Sequence, residues 1–556
     1  MDSRPWHASY EAQVKPALVY PDKPLTHWLK EAAAKSPKRP ALRFQGVSIS
    51  YARLLDTSYR FAHALIRLGV RKGDRVALML PNVPSYVSCY YGCLFAGAVV
   101  VQTNPLYKAE ELSRQLADSG AETIVCLDLF YTTVRQAART VPLKSILVAG
   151  AADDLPLPLR LLAPLVAKTP RPAVDYTEPE VRPLRRLLRE SPGTPIETLV
   201  NLDEDPAVLQ YTGGTTGTAK GVVLTHRNLV ANVVQCRSWL YRAEEGGERT
   251  LTAVPLFHVY GMTVCMNVSI AMRGCLLLVP RFDAGSLLKL IQKEKPTLFP
   301  GAPAMYIALL HHPARSLYDL SSIRACISGS APLPHYVQQE FEKVTAGRLV
   351  EGYGLSEASP VTHANPIWGK RAMGSIGLPW PDTDAMILDE EGQELPPGEI
   401  GELAVKGPQV MKGYWNKPED TAAVLQDGWL RTGDLGYRDE AGYYYIVDRK
   451  KEMINASGLK VYPREIEEVL YRHPDVKEAA VIGVPDDYRG ETVKAFLVPK
   501  EGAELCEDAL DAYCRERLAP YKVPRQYEFR SELPKTLVGK VLRRVLAEEE
   551  RRKRLP

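Results

Sequence analysis

The sequence predicts an α/β fold, with a large N-terminal domain of layered sheets and helices followed by a small α+β domain. Three observations carry that reading. At 556 residues the chain exceeds the size, about 250–300 residues, at which a single hydrophobic core stops growing. Strand-like and helix-like periods alternate through the first 130 residues. A charged run, Asp448-Arg449-Lys450-Lys451-Glu452, then sets off a final segment with helix and strand periods of its own.

Taken in order, Tyr51 to Leu68 places Leu54, Leu55, Phe61, Ala62, Leu65 and Ile66 on one helical face, and Gly69 follows as a left-handed stop. Val76-Ala77-Leu78-Met79-Leu80 is a continuous apolar run, the pattern of a strand buried on both faces. A helix from Pro84, a strand at Ala98–Val101 and a helix from Ala109 that ends before Gly120 complete the alternation. Such an order implies right-handed crossovers and a mostly parallel sheet. Residues 151–200 change character: nine prolines between Pro156 and Pro195 alternate with leucine and arginine. We read this stretch as a peripheral connection with short helices, with a basic amphipathic membrane-surface segment as the alternative. Beyond the charged run, Pro463–Tyr471 reads as a helix with proline in its first turn, and Ala479–Val484 and Val493–Val498 read as strands. That is enough for a separate small domain.

Composition narrows the function. Hydrophobic residues at 45% and charged residues at 24% match ordinary globular proteins and exclude a disordered or fibrous chain. With Lys plus Arg at 70 and Asp plus Glu at 66, the net charge of +4 gives no basis for a nucleic-acid partner, so any anion site must be local. The nine cysteines are scattered with no C-x-x-C pair, which argues against zinc ribbons and dithiol redox motifs and suits a reducing cytosol. The uncharged stretches Val76–Tyr107 and Leu251–Met272 are interrupted by Pro81, Pro84, Gly97, Pro255 and Gly261. A spanning helix wants ~20 predominantly apolar residues in one run, and these interrupted stretches read as buried α/β layers. The first residues lack a signal-peptide pattern, and we expect a soluble cytoplasmic protein. The basic residues between Arg543 and Arg554, interleaved with Glu548, Glu549 and Glu550, read as a solvated helix end, or more weakly as a peripheral contact with anionic lipid. No signal separates monomer from homodimer.

The most informative segment is Tyr211-Thr-Gly-Gly-Thr-Thr-Gly-Thr-Ala-Lys220-Gly221, a hydroxyl-rich glycine loop ending in a lysine and suited to wrapping phosphate oxygens. It is not a Walker A loop, because Lys220 is preceded by Ala219 and followed by Gly221. Gly352-Tyr-Gly-Leu-Ser-Glu357 lacks the third glycine of a dinucleotide fingerprint and ends in a carboxylate, a hard oxygen donor suited to Mg²⁺. Further along come Pro255-Leu-Phe-His258, Ser328-Gly-Ser-Ala-Pro332, Thr432-Gly-Asp434, Asp448-Arg449 and Pro534-Lys-Thr-Leu-Val-Gly-Lys540.

These motifs, in this order, resemble the adenylate-forming superfamily, which includes acyl-CoA synthetases, peptide-synthetase adenylation domains and firefly-luciferase-type enzymes. The resemblance runs from about residue 25 to residue 545. It implies a domain at 1–447 of parallel α/β sheets plus a small β subdomain, a hinge at 448–453 around Lys451, and a mobile domain at 454–556 carrying the catalytic lysine. It implies ATP, Mg²⁺ and coenzyme A as co-reactants and a fatty acid as substrate. Lys540 would sit between the incoming carboxylate and the α-phosphate. Lys220, with Thr212, Gly213, Gly214, Thr215, Thr216 and Gly217, would hold pyrophosphate. Thr212 and Glu357 would ligate Mg²⁺. Gly329, Glu351, Gly352 and Tyr353 would border adenine, Ser356 would meet the α-phosphate, and Asp434 with Arg449 would hold the ribose. His258 would lie near the substrate carboxylate, and Val259, Tyr260 and Met262 would line the acyl pocket. Ser457, Gly458 and Lys460 would form the loop that meets coenzyme A. The stretches Pro255–Met262 and Gln102–Tyr107 resemble the long-chain fatty-acyl branch, with aromatic or medium-chain carboxylate ligases and a binding-only member as alternatives.

Overall fold

The computed structural model describes residues 4–155, 172–196, 198–212, 219–456, 459–486, 490–536 and 539–554. Its first layer is an eight-stranded sheet in the order Gly413–Tyr414, Lys220–Thr225, Pro206–Thr212, Val99–Gln102, Arg75–Met79, Thr123–Leu127, Ser145–Ala149, Val181–Pro183. The strands from Pro206–Thr212 to Val181–Pro183 run parallel, and the other two are antiparallel additions. The unbroken apolar run of the central strand now has its cause. Val76 and Leu78 pack into one hydrophobic core while Ala77 and Met79 pack into another on the opposite face.

A second layer joins two four-stranded sheets. Leu298 bridges in parallel to Thr250 on one side and Ala325 on the other, so Arg249–Thr252 and Ala325–Ser328 lie in one continuous surface. Beyond it, Asp384–Leu388, Gly401–Lys406, Trp429–Arg438 and Tyr444–Arg449 form an antiparallel sheet, the small β unit. Residues from Ile454 onward close a fifth sheet with separate apolar clusters on its two faces, one around Ile466, Val481 and Leu497 and one around Ile482, Phe496 and Leu546.

Local signals resolve as their chemistry dictates. The helix Tyr51–Arg67 opens on Ser50, whose Oγ accepts the Arg53 N–H at 3.3 Å, and ends before Gly69 at φ +88°. The helix Ala109–Ser119 stops at Gly120 in the left-handed region, φ 63° and ψ 31°. In the proline-rich stretch, helix Leu184–Glu190 turns Leu184 and Leu187 into the core beside the helix Tyr51–Arg67. Residues 156–171 of that stretch lie outside the described residues. Among the described residues no helix is long and apolar enough to cross a membrane. Arg543, read from sequence as part of a solvated helix end, is instead half-buried and enclosed by carboxylates at the start of the helix Arg543–Arg554. Cys506 alone of the nine cysteines is exposed.

Candidate active site

The site lies where the carboxyl ends of the parallel strands, the small β unit and the last domain meet, the position at which open α/β sheets bind ligands. Pro206–Thr212 and Lys220–Thr225 form an antiparallel pair, with Thr212 opposite Lys220, and hold the ends of the glycine loop. Gly213, Gly214, Thr215, Thr216 and Gly217 lie outside the described residues. Lys220 pairs with Asp420 and has its ammonium 5.0 Å from the Tyr414 ring. The Tyr414 hydroxyl donates to Glu357 Oε1 at 2.8 Å. Thr212, Lys220 and Glu357 therefore gather at one end of the cleft, with Tyr414 and Asp420 as members that sequence reasoning missed. Ser356 and Glu357 sit on a short 3-10 turn, Ser356–Ala358.

Tyr353, Asp434 and Arg449 form a second group. The Tyr353 hydroxyl donates to Asp434 Oδ2 at 2.5 Å, and Arg449 Nε pairs with Asp434 Oδ1 at 3.2 Å. Asp434 and Arg449 are cross-strand partners, so the antiparallel register itself brings them together. Gly352 has no room for a side chain, since a Cβ there would come within 2.7 Å of Ile327 Cγ2. Glu351, on the same strand, turns its carboxylate towards Arg464 of the last domain at 3.9 Å, and burial pushes its carboxyl up to about 7.

His258 is fixed by its surroundings. The turn Pro255–His258 is pinned by Asn82, which accepts the Leu256 N–H at 2.8 Å, and by Gln210, which donates to the Phe257 carbonyl at 3.2 Å. His258 Nδ1 accepts the Tyr260 N–H at 3.2 Å, so the neutral ring carries its proton on Nε2 and can donate it. Burial, with help from the charge of Lys540, lowers His258 to about 4 and keeps it neutral. Val259, Tyr260 and Met262 continue as a buried wall leading into the π-helical stretch Gly261–Asn267. The Tyr260 hydroxyl donates to the Ile327 carbonyl at 2.5 Å, and its ring lies 3.4 Å from where a Cβ on Gly329 would stand. Gln102 Nε2 donates to the Met262 sulfur at 3.1 Å, tying the stretch Gln102–Tyr107 to this wall.

Lys540 comes to this pocket from the far end of the chain. The adjoining Gly539, at φ +80°, packs so closely on the helix Pro303–Leu310 that a Cβ there would meet the Ala304 Cβ at 2.8 Å. Burial, with the neighbouring charge of Arg449, lowers Lys540 to about 8, against the pull of Asp434 and Glu452. Lys451 lies exposed in the turn between the two parts, and partial desolvation of its ammonium, with the charge of Arg449 beside it, lowers its proton affinity. Lys460 is not in the pocket: it pairs at the surface with Glu390 at 3.3 Å, and Ser457 and Gly458 lie outside the described residues. Among the described residues no three or more His, Cys, Asp or Glu side chains group to hold a metal ion by themselves. A Mg²⁺ carried by phosphate oxygens needs only one or two protein oxygens, which the Thr212 hydroxyl and Glu357 carboxylate can supply.

The comparisons agree with this architecture. Residues 29–415 match the family model described as AMP-binding enzyme, and residues 465–540 match the AMP-binding enzyme C-terminal domain. The chain is 53% identical over 551 residues to a long-chain-fatty-acid–CoA ligase of Bacillus subtilis, covering 98% of each chain. It is 41% identical over 555 residues to a ligase of the same description from Salmonella typhimurium, covering 99% of this chain and 98% of the other. The crystal structure of the anthranilate CoA ligase AuaEII in complex with anthranoyl-AMP superposes with a TM-score of 0.85 at 27% identity, covering 97% of this chain and 99% of that one. With both parts matched and the relatives spanning nearly its whole length, the chain belongs to the AMP-binding enzyme family.

Proposed function

We propose that the protein is a fatty-acid–CoA ligase that forms AMP and acts on long-chain acids. The observation that carries the reading is the convergence of Lys540, His258, Asp434 and Arg449 on one pocket from three separate segments of the chain. In the first step a carboxylate oxygen attacks the α-phosphorus of ATP, the bond to the β-phosphate breaks, and pyrophosphate leaves. Two anions must approach each other, and at 4 Å they repel by roughly 4 kcal/mol even at an effective dielectric of 20. The Lys540 ammonium offsets that repulsion, and the neutral His258 donates from Nε2 to the substrate carboxylate. Asp434 accepts from the ribose hydroxyls while Arg449 and Tyr353 keep its carboxylate oriented. Lys220 leaves Asp420 for the departing phosphates. Mg²⁺ held near Thr212 and Glu357 would neutralise phosphate charge.

In the second step the CoA sulfur attacks the acyl carbon and the bond to AMP breaks. The loop 457–460 is the part that would meet CoA, and Lys460 stands apart from Lys540, so the small domain turns about Lys451 between steps. The long-chain assignment rests on the 53% identical relative and on the apolar wall Val259, Tyr260 and Met262. The test is AMP release with Mg²⁺ and ATP, with and without CoA, over acetate, octanoate, palmitate, oleate, benzoate and 4-coumarate. We expect CoA-dependent turnover that peaks with palmitate or oleate. A peak with the aromatic acids would overturn the chain-length assignment, and no AMP with any acid would overturn the ligase reading.

A further inference from the structure

The seam between the two parts of the chain is held by two arginines. Arg543 stands three positions after Lys540 and opens the helix Arg543–Arg554. Its guanidinium is clamped by carboxylates from three segments. Nε and Nη2 reach Glu467 at 3.1 and 2.6 Å, and Nη1 reaches Asp448 at 3.1 Å and also Glu452. Asp448 is the end of this chain of contacts on the large side. Its side chain is 2% exposed, and each oxygen has a donor from the small side: Arg543 on Oδ1 and the Arg464 N–H on Oδ2 at 2.8 Å. Arg464 itself donates to the Ile446 carbonyl at 2.8 Å and pairs with Glu351. Bonds to Glu467, Glu452 and Glu468 lie within the small side and would survive a turn about Lys451. Those to Asp448, Ile446 and Glu351 would not.

We propose that Asp448, acting through Arg543, is a positioning residue that latches Lys540 into the nucleotide pocket. The latch rests on the ligase reading given above. Because both arginines keep a carboxylate of their own segment, releasing Asp448 leaves neither of them as a bare buried cation, and the contact can open and close. The substitution Asp448→Asn keeps the shape but presents an N–H to either Arg543 or the Arg464 N–H, so one of the two bonds is lost.

The test separates the two steps in the full-length enzyme. With palmitate, Asp448→Asn should lower kcat for ATP–pyrophosphate exchange roughly 10–100-fold, the span of a coupling of a few kcal/mol, with the ATP KM nearly unchanged. Acyl-CoA formation from synthetic palmitoyl-adenylate and CoA should be spared, which a merely structural role would not allow. Arg543→Lys should act in the same direction, and the double variant should be no worse than the weaker single. Tryptic cleavage after Lys450 and Lys451 should quicken in Asp448→Asn, with little change in Tm. Equal loss of both steps, or loss of neither, would overturn the latch, as would unchanged cleavage. A wild-type enzyme inactive in both steps would overturn the ligase reading instead, and the cleavage rate would then decide the latch alone.

Discussion

Replacing Lys540 by alanine gives the sharpest test of the proposed chemistry. Burial brings this lysine down to about 8 from 10.5, so holding its ammonium there costs about 3 kcal/mol. That cost is offset only when anions arrive: a carboxylate at about 4 Å returns roughly 4 kcal/mol at an effective dielectric of 20, and the α-phosphate a similar amount. Without the ammonium the carboxylate meets the α-phosphate with its roughly 4 kcal/mol repulsion uncompensated, a loss of about three orders of magnitude in rate. The assay is palmitate-dependent ATP–pyrophosphate exchange, set beside acyl-CoA formation from preformed palmitoyl-adenylate. The first should fall about a thousandfold in Lys540→Ala and the second should persist. In the wild type, kcat/KM for the first step should decline above about pH 8, as free enzyme loses the proton, and Lys540→Arg should remove that limb. Equal loss of both steps, or a first step within tenfold of wild type, would refute the assignment of Lys540 to the approaching anions.

Two further outcomes follow from buried groups. Asp434→Ala deprives the ribose of its acceptor and leaves Tyr353 and Arg449 without their shared partner, so the ATP KM should rise roughly 10–100-fold, as for one or two charged hydrogen bonds, measured at saturating palmitate. The second concerns His226 and His363, which burial lowers to about 4 and about 3. An unfolded chain takes up protons at these histidines below about pH 6.5 while the folded one does not, so stability falls as pH drops through that range. Between pH 7 and pH 5 each should cost about 2 kcal/mol in chemical denaturation, and His363→Gln should flatten the slope.

Much of this was legible in the sequence because the signals were local. Gly120 stops its helix in the left-handed conformation its position suggested, and Pro463 opens the helix it heads. The buried run at Val76–Met79 belongs to a strand that feeds two cores. The spacing of Asp434 and Arg449 concealed nothing once an antiparallel register was given. What escaped were partners whose identity depends on long-range packing. Nothing in Gly413-Tyr414-Trp415 announces that Tyr414 will donate to Glu357, and Asp420 looks like an ordinary acidic residue in the first turn of a helix. Arg543, among five other basic residues, carried no local mark of burial, because its carboxylates lie 76 to 95 residues away.

The apolar clusters of the large part end at Tyr444 and those of the last sheet begin at Ile454, with arginines and carboxylates at the seam between them. Burial of hydrocarbon therefore does little to tie the two parts together, and each keeps its own reserve of stability. Amide hydrogens of the closing sheet should exchange through openings that leave the parallel layers intact, at a free energy well below that of global unfolding. A ligand seated between Lys540 and Asp434 would be the stitch that raises both protections at once.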